Sequence, residues 1–153
     1  MIQGMLALAL LTACLAGTFW IVQRMVLTVL DAIREDRARR TFPWQRERLE
    51  LRFIQAVARR EPQQSRRWAL ARWNREVCWA RDRTTRGLMV LVGVELPDDF
   101  APNTPSRKIA VFEYRAGIWF ADGIYIASPT PSAACKASRF DLIGPPGMPE
   151  EWA

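Results

Sequence analysis

Histidine is absent from all 153 residues. That removes the commonest general base, metal ligand and near-neutral pH switch together. Cysteine is scarce: Cys14, Cys78 and Cys135 stand far apart and form no C-x-x-C pair. An odd, dispersed set argues against a disulfide framework and suits a reducing compartment. With no histidine to act as base, none of the three has the usual partner of a cysteine nucleophile, so Cys78 is expected to be a small buried hydrophobe and Cys135 a helix-surface thiol. Glycine never clusters into a phosphate loop; Gly87, Gly93, Gly117 and Gly123 are single residues at turn or bulge positions. The acidic pairs Asp98-Asp99 and Glu150-Glu151 lie in a proline-bearing loop and in the tail, where adjacent carboxylates are solvated rather than convergent. Catalytic residues, metal ligands and cofactors are accordingly expected to be none, axial haem ligation by histidine is excluded, and the chain is expected to be non-enzymatic.

What is present first is a long uncharged run. From Met5 to Val22, eighteen residues, no side chain is charged, and beyond Gln23 and Arg24 the apolar character continues to Leu30. A membrane-spanning helix needs roughly 20 residues at about 1.5 Å rise each. Trp20 falls near the far boundary, as interfacial aromatics do, and Arg24 is close enough to it to snorkel to the headgroups. A cleaved secretory signal would want a basic start, which Met1-Ile2-Gln3-Gly4 does not supply. Leu11-Thr12-Ala13-Cys14 matches a lipobox, but its uncharged leader is short and the residues after Cys14 stay apolar. One transmembrane helix is the expectation.

Lysine is rarer still than cysteine: arginine supplies twenty of the twenty-two basic side chains. Residues 1–40 carry five Arg against three acids, residues 41–96 twelve against six, and residues 97–153 five basic against seven acidic groups, so +2, +6 and −2 sum to the net charge of +6. The membrane-proximal Arg24, Arg34, Arg37, Arg39 and Arg40 all follow the apolar run, and none precedes it. The positive-inside rule then places the N-terminus outside and the body in the cytoplasm of an inner (cytoplasmic) membrane.

Beyond Arg40 the pattern changes twice. Phe42-Pro43 is expected to interrupt the helix, with Pro43 opening the next one. From Trp44 to Arg60, Leu49, Phe53, Ala56 and Val57 recur at helical spacing, and Pro62 ends the run. Gln63 to Trp73 is a weaker helical or turn segment. Val77, Trp79 and Arg81 then alternate as in a strand, and Leu88 to Val94 is apolar enough for a central strand covered on both faces. Lys108 to Tyr114 and Ile118 to Ile126 are two further strands joined at Arg115-Ala116-Gly117, and a short helix opens at Thr130-Pro131. The fold class expected is α+β: a transmembrane helix with a charged extension (1–40), one or two helices on a four-stranded antiparallel meander (41–128), and a Pro/Gly-rich tail with a short helix (129–153).

Two groups of residues carry the functional reading. Trp20, Arg24, Arg34, Arg37, Arg39 and Arg40 form the expected membrane interface; Arg46, Arg48, Arg52, Trp68, Trp73 and Trp152 are candidate contacts to a partner or to lipid. Anionic headgroups attract such arginines at roughly 1 kcal/mol each, whereas a solvated helix face is the plainer explanation and nucleic acid fits least. The expected partners are the bilayer and other membrane-protein subunits, which makes the chain an accessory, structural or assembly subunit of a larger bacterial membrane complex. A membrane-anchored binding domain for lipid headgroups or a small ligand is the second expectation. A long apolar helix followed by a four-stranded meander also resembles the layout of type IV pilins and pseudopilins, with Gly4-Met5 as a processing point; that resemblance implies a pilin- or pseudopilin-like subunit, although Ala9 stands where the family carries an acid and the basic leader is missing.

Overall fold

A computed structural model of the chain describes residues 2–97 and 106–143, and the side chains of residues 2–13, Glu76, Lys136 and Ala137 are left aside. Most of the expected loop from Pro97 to Ser106, and the end of the tail with Trp152, lie outside the described residues. The chain divides into two compact units, Met1–Arg40 and Thr41–Ala153.

The first unit is helical, part of α1 (Ile2–Arg60). One helix near the N-terminus is long and apolar enough to cross a membrane, and none of its apolar window is buried by the protein itself. Leu15, Phe19, Ile21, Val26 and Leu30 all stand exposed. The hydroxyls of Thr18 and Thr28 donate to the carbonyls of Cys14 (3.0 Å) and Arg24 (2.6 Å), so these polar groups are satisfied inside the helix. A surface of this kind fits insertion into hydrocarbon.

The second unit is α+β. Pro43 lies inside α1 rather than between two helices, which corrects the expected interruption. An interior proline costs about 3 kcal/mol. Here the preceding residues are held by tertiary contacts: Phe42 is buried against Trp79, Phe112 and Trp119, and Thr41 Oγ1 accepts a 3.2 Å bond from Trp119 Nε1. Leu49, Phe53 and Val57 are buried as their spacing predicts. The helix stops before Pro62, which opens a 3-10 turn (Pro62–Gln64) leading into a short α2 (Ser65–Ala69). Trp73, expected in a helical or turn segment, instead sits in β1 (Arg72–Asp82).

Among the described residues the sheet has six strands, not four. Besides β1 it contains β2 (Leu88–Leu96), β3 (Ser106–Arg115), β4 (Ile118–Phe120), β5 (Tyr125–Ile126) and β6 (Phe140–Ile143), ordered β4-β3-β2-β1-β6 with β5 also on β3. All pairings are antiparallel. The long strand expected from Ile118 to Ile126 is thus broken in two at Ala121–Ile124, where Gly123 has φ +72. A Cβ there would lie 2.9 Å from the Val57 backbone nitrogen, so only glycine lets this segment lie against α1. The β3–β4 hairpin turns at Ala116 (φ 51) and Gly117 (φ 83), the two positive dihedrals of a type I′ turn.

Each face of the sheet is covered. On one, Phe42, Phe53 and Trp68 pack against Trp73, Trp79, Phe112 and Trp119. On the other, α3 (Pro131–Ala137) brings Ala134 and Cys135 onto Ala80, Met89, Leu91, Ile109, Val111 and Phe140. Thr130 caps α3 by accepting from Ala133 N at 3.2 Å. Residues 131–143, expected in a tail, therefore supply a helix and an edge strand to this unit. We expect Phe53→Ala to cost about 3–5 kcal/mol, read as a lowered midpoint of tryptophan-detected thermal unfolding in mild detergent, while Trp44→Ala, at a ring 91% exposed, leaves the midpoint almost unchanged.

Candidate functional site

In the first unit the expected interface residues form consecutive helical turns. The Arg24 guanidinium lies 5.1 Å from the centre of the Trp20 ring, one turn away. Arg39 and Arg40 pair with Glu35 and Asp36 at 2.8 Å, and Arg34 approaches Asp31 at 3.7 Å; Arg37 is exposed. Acid-before-arginine at i,i+4 is the favourable order on a helix, worth a few tenths of a kcal/mol per pair. These pairs hold the helix together without removing arginines from the orientation rule, which ignores acids.

In the second unit the six candidate contacts separate. Trp68 is fully buried, with its ring 5.2 Å from Phe53 and from Tyr125, and Trp73 packs edge-on to Phe53 at 5.7 Å. Trp68 belongs to the core of this unit, and Trp73 is half-buried against it. Arg46 is spent internally: it bonds Glu50 at 2.7 Å, the Arg75 carbonyl at 3.1 Å and the Asn74 carbonyl. Those carbonyls lie where the β1–β2 register slips between Trp73 and Val77, so Arg46 satisfies acceptors the irregular ladder leaves over. Arg48 and Arg52 are exposed, and Trp152 lies outside the described residues.

Sequence reasoning missed Asp82, the one fully buried charged residue among those described. Its Oδ1 accepts from the Thr84 and Thr85 amides at 2.7 and 3.1 Å, and its Oδ2 meets Arg139 Nε at 2.8 Å. It shapes the β1–β2 turn and ties it to the start of β6. The Asp-x-Thr-Thr-x-Gly run is the signal that was available.

The described residues of this unit also form concave surfaces. A groove of about 560 Å³ runs between the last turns of α1, with Arg52 and Arg59, and β4 with the residues after it. A second, of about 400 Å³, lies between Asn74, Gly93 and Lys108 and the Pro129–Pro131 segment, with Cys78 in its wall. Among the described residues no group of three His, Cys, Asp or Glu side chains is placed to hold a metal ion.

No protein family, no curated protein and no solved structure matches this chain.

Among the described residues, two groups are shifted from their ordinary titration. Burial, then Cys78 and Asp141, pushes the Cys135 thiol up to about 11, and the residue is buried rather than on a helix surface, which corrects the expectation for it. Cys78 is only half-buried. Burial, then the hydrogen bond to Glu61 and its charge, raises the Tyr125 phenol above its ordinary value near 10. The fold prefers the protonated phenol, so that stabilisation is present below pH 10 and is lost as pH rises through the raised value. We expect Tyr125→Phe to cost about 1 kcal/mol at pH 7 and to flatten the alkaline loss of stability, measured by thermal melts from pH 7 to 11. We also expect iodoacetamide at pH 8 to modify Cys135 at least tenfold more slowly in the folded chain than in urea, read by peptide mass mapping, because the thiolate is scarce and covered.

Proposed function

We propose that the chain is a non-enzymatic, single-pass protein of the inner (cytoplasmic) membrane, with its N-terminus outside and Thr41–Ala153 in the cytoplasm, serving as an accessory or assembly subunit of a larger bacterial membrane complex. The observation that carries this reading is the uncovered apolar surface from Leu15 to Ile33, followed at once by the arginines from Arg34 to Arg40. Hydrocarbon is the medium in which such a surface is stable, and the arginine band favours the inner side. The subunit role is supported by apolar side chains left outside the second unit's core. Trp44, Leu51 and Leu70 are each more than half exposed, on the kind of aromatic and aliphatic surface that protein interfaces cover.

Three measurements test it. The intact chain should stay in the pellet after alkaline carbonate extraction. A reporter fused after Trp152 should be active only in its cytoplasmic form. Native purification in mild detergent should return the chain with a stoichiometric membrane partner that Trp44→Ala/Leu51→Ala weakens. Release by carbonate or a periplasmic reporter would refute the topology, and a monodisperse monomer from native membranes would refute the subunit role.

A further inference from the structure

The apolar stripe of the first unit is longer than a membrane is thick. From Met5 to Ile33 it covers 29 residues, about 43 Å of helix, against roughly 30 Å of hydrocarbon. Immersing all of it would take a tilt of about 46°, past the ordinary range, and would carry Arg24 and Asp31 into the hydrocarbon. With Arg24 at the boundary, Val26, Val29 and Ile33 stand beyond it, Ile33 by about 13 Å. Each of the three is more than half exposed. Lipid tails do not cover them.

These three continue a regular series. Leu15, Phe19, Val22, Val26, Val29 and Ile33 follow one another in alternating steps of four and three residues. That is a heptad repeat, with Phe19, Val26 and Ile33 at its a positions and Leu15, Val22 and Val29 at its d positions. Arg24, Asp31 and Arg34 fall on the far side, at f and b. Near its start the seam is already hollowed: Leu15, Thr18, Phe19 and Val22, with Ala16 beside them, line a shallow apolar groove. Those four are the d, g, a and d residues that form the hole for an a-position knob in a parallel coiled coil. The Thr18 hydroxyl bonds the Cys14 and Leu15 carbonyls at 3.0 Å, so closing the groove strands no polar group.

We propose that this seam is covered by the same seam of a second copy of the chain, the two helices parallel and in register, with Phe19 of each filling the groove of the other. Insertion gives every copy one direction and one depth, so the seams meet at the same height. The flanking g and e positions are compatible across such a pair. Thr18 meets Gln23, Met25 meets Leu30 and Ala32 meets Arg37, with no like charges opposed. Where the seam turns polar it complements itself. Asp36, at the next d position, is exposed, as are Arg37 and Arg40. In the parallel pair Asp36 lies between Arg37 and Arg40 of the second copy, so each helix offers the acid that the other's arginines face. Within hydrocarbon the gain is close packing, and beyond Arg24 it is the removal of Val26, Val29 and Ile33 from water. The inference rests on insertion of the helix and not on the subunit role.

The test scans the full chain in native membranes. Cysteine replaces each residue from Leu15 to Asp36 in turn, in a chain carrying Cys14→Ser, and the membranes are oxidised with copper phenanthroline. The Cys14→Ser parent gives the background from Cys78 and Cys135. A product of twice the chain's mass is expected, with a yield that repeats along the heptad: Val22→Cys, Val26→Cys and Val29→Cys at least fivefold above Arg24→Cys, Leu27→Cys and Asp31→Cys. Val29→Lys/Ile33→Lys should lower the Val22→Cys yield tenfold or more. Leu27→Lys/Thr28→Lys, with the same added charge on the outer face, should lower it less than twofold. The cysteine scan stands alone if the first lysine variant fails to insert. Carbonate extraction of the same membranes separates the two readings: a flat cross-linking pattern in a chain retained in the pellet overturns the proposal and leaves insertion standing. Cross-links to a different polypeptide alone, or equal losses in the two lysine variants, also overturn it.

Discussion

The Phe112 ring, midway along β3, meets three others: Phe42 at 5.9 Å, Phe53 at 5.6 Å and Trp73 at 6.1 Å between centroids. Phe42 and Phe53 are eleven residues apart, which is close to three full turns, so both face the sheet only if the helix stays regular through Pro43. The α+β unit depends on that regularity. A helix broken before the proline would turn Phe42 away from Trp79 and Trp119, and the Thr41–Trp119 bond would go with it. Local preference argues for a break at Phe42-Pro43; ring burial on a finished sheet outweighs it.

Charge follows the same logic of position over type. Arg34, Arg39 and Arg40 pair with acids one turn back on their own helix. Arg46, Arg60 and Arg67 are taken up by backbone carbonyls of other segments. Arg83, Arg107 and Arg139 meet carboxylates across the sheet or its turns. Arg48, Arg52, Arg59 and Arg72 are exposed and have no such role among the described residues. The basic excess thus resolves into structural cations and a solvated remainder.

The strongest periodic segments were legible. The apolar run, the helical spacing of Leu49, Phe53 and Val57, the doubly covered β2, the Ala116-Gly117 turn and the Thr130 cap all follow from local chemistry. Less legible were features that need a distant partner. Phe140–Ile143 pairs with β1 across more than fifty residues of chain and carries the exposed Leu142, so it lacks the clean alternation of an isolated strand signal. Trp68 and Trp73 look interfacial because they sit among arginines, and it takes Phe53, Phe112 and Tyr125 from three other elements to bury Trp68 and half-bury Trp73.

The sequence by itself determined the apolar helix, the asymmetry of arginine around it, the absence of histidine chemistry and the change from helical to strand period, because each is a property of neighbours within one or two turns. Tertiary structure alone decided that α1 passes through Pro43, that the sheet gains β5 and β6, that Asp82 is buried, and that Arg46 is consumed by the carbonyls of Asn74 and Arg75. Those outcomes hang on which groups meet across the fold, and hydrogen bonds and ring contacts between remote residues leave no period in the chain that makes them.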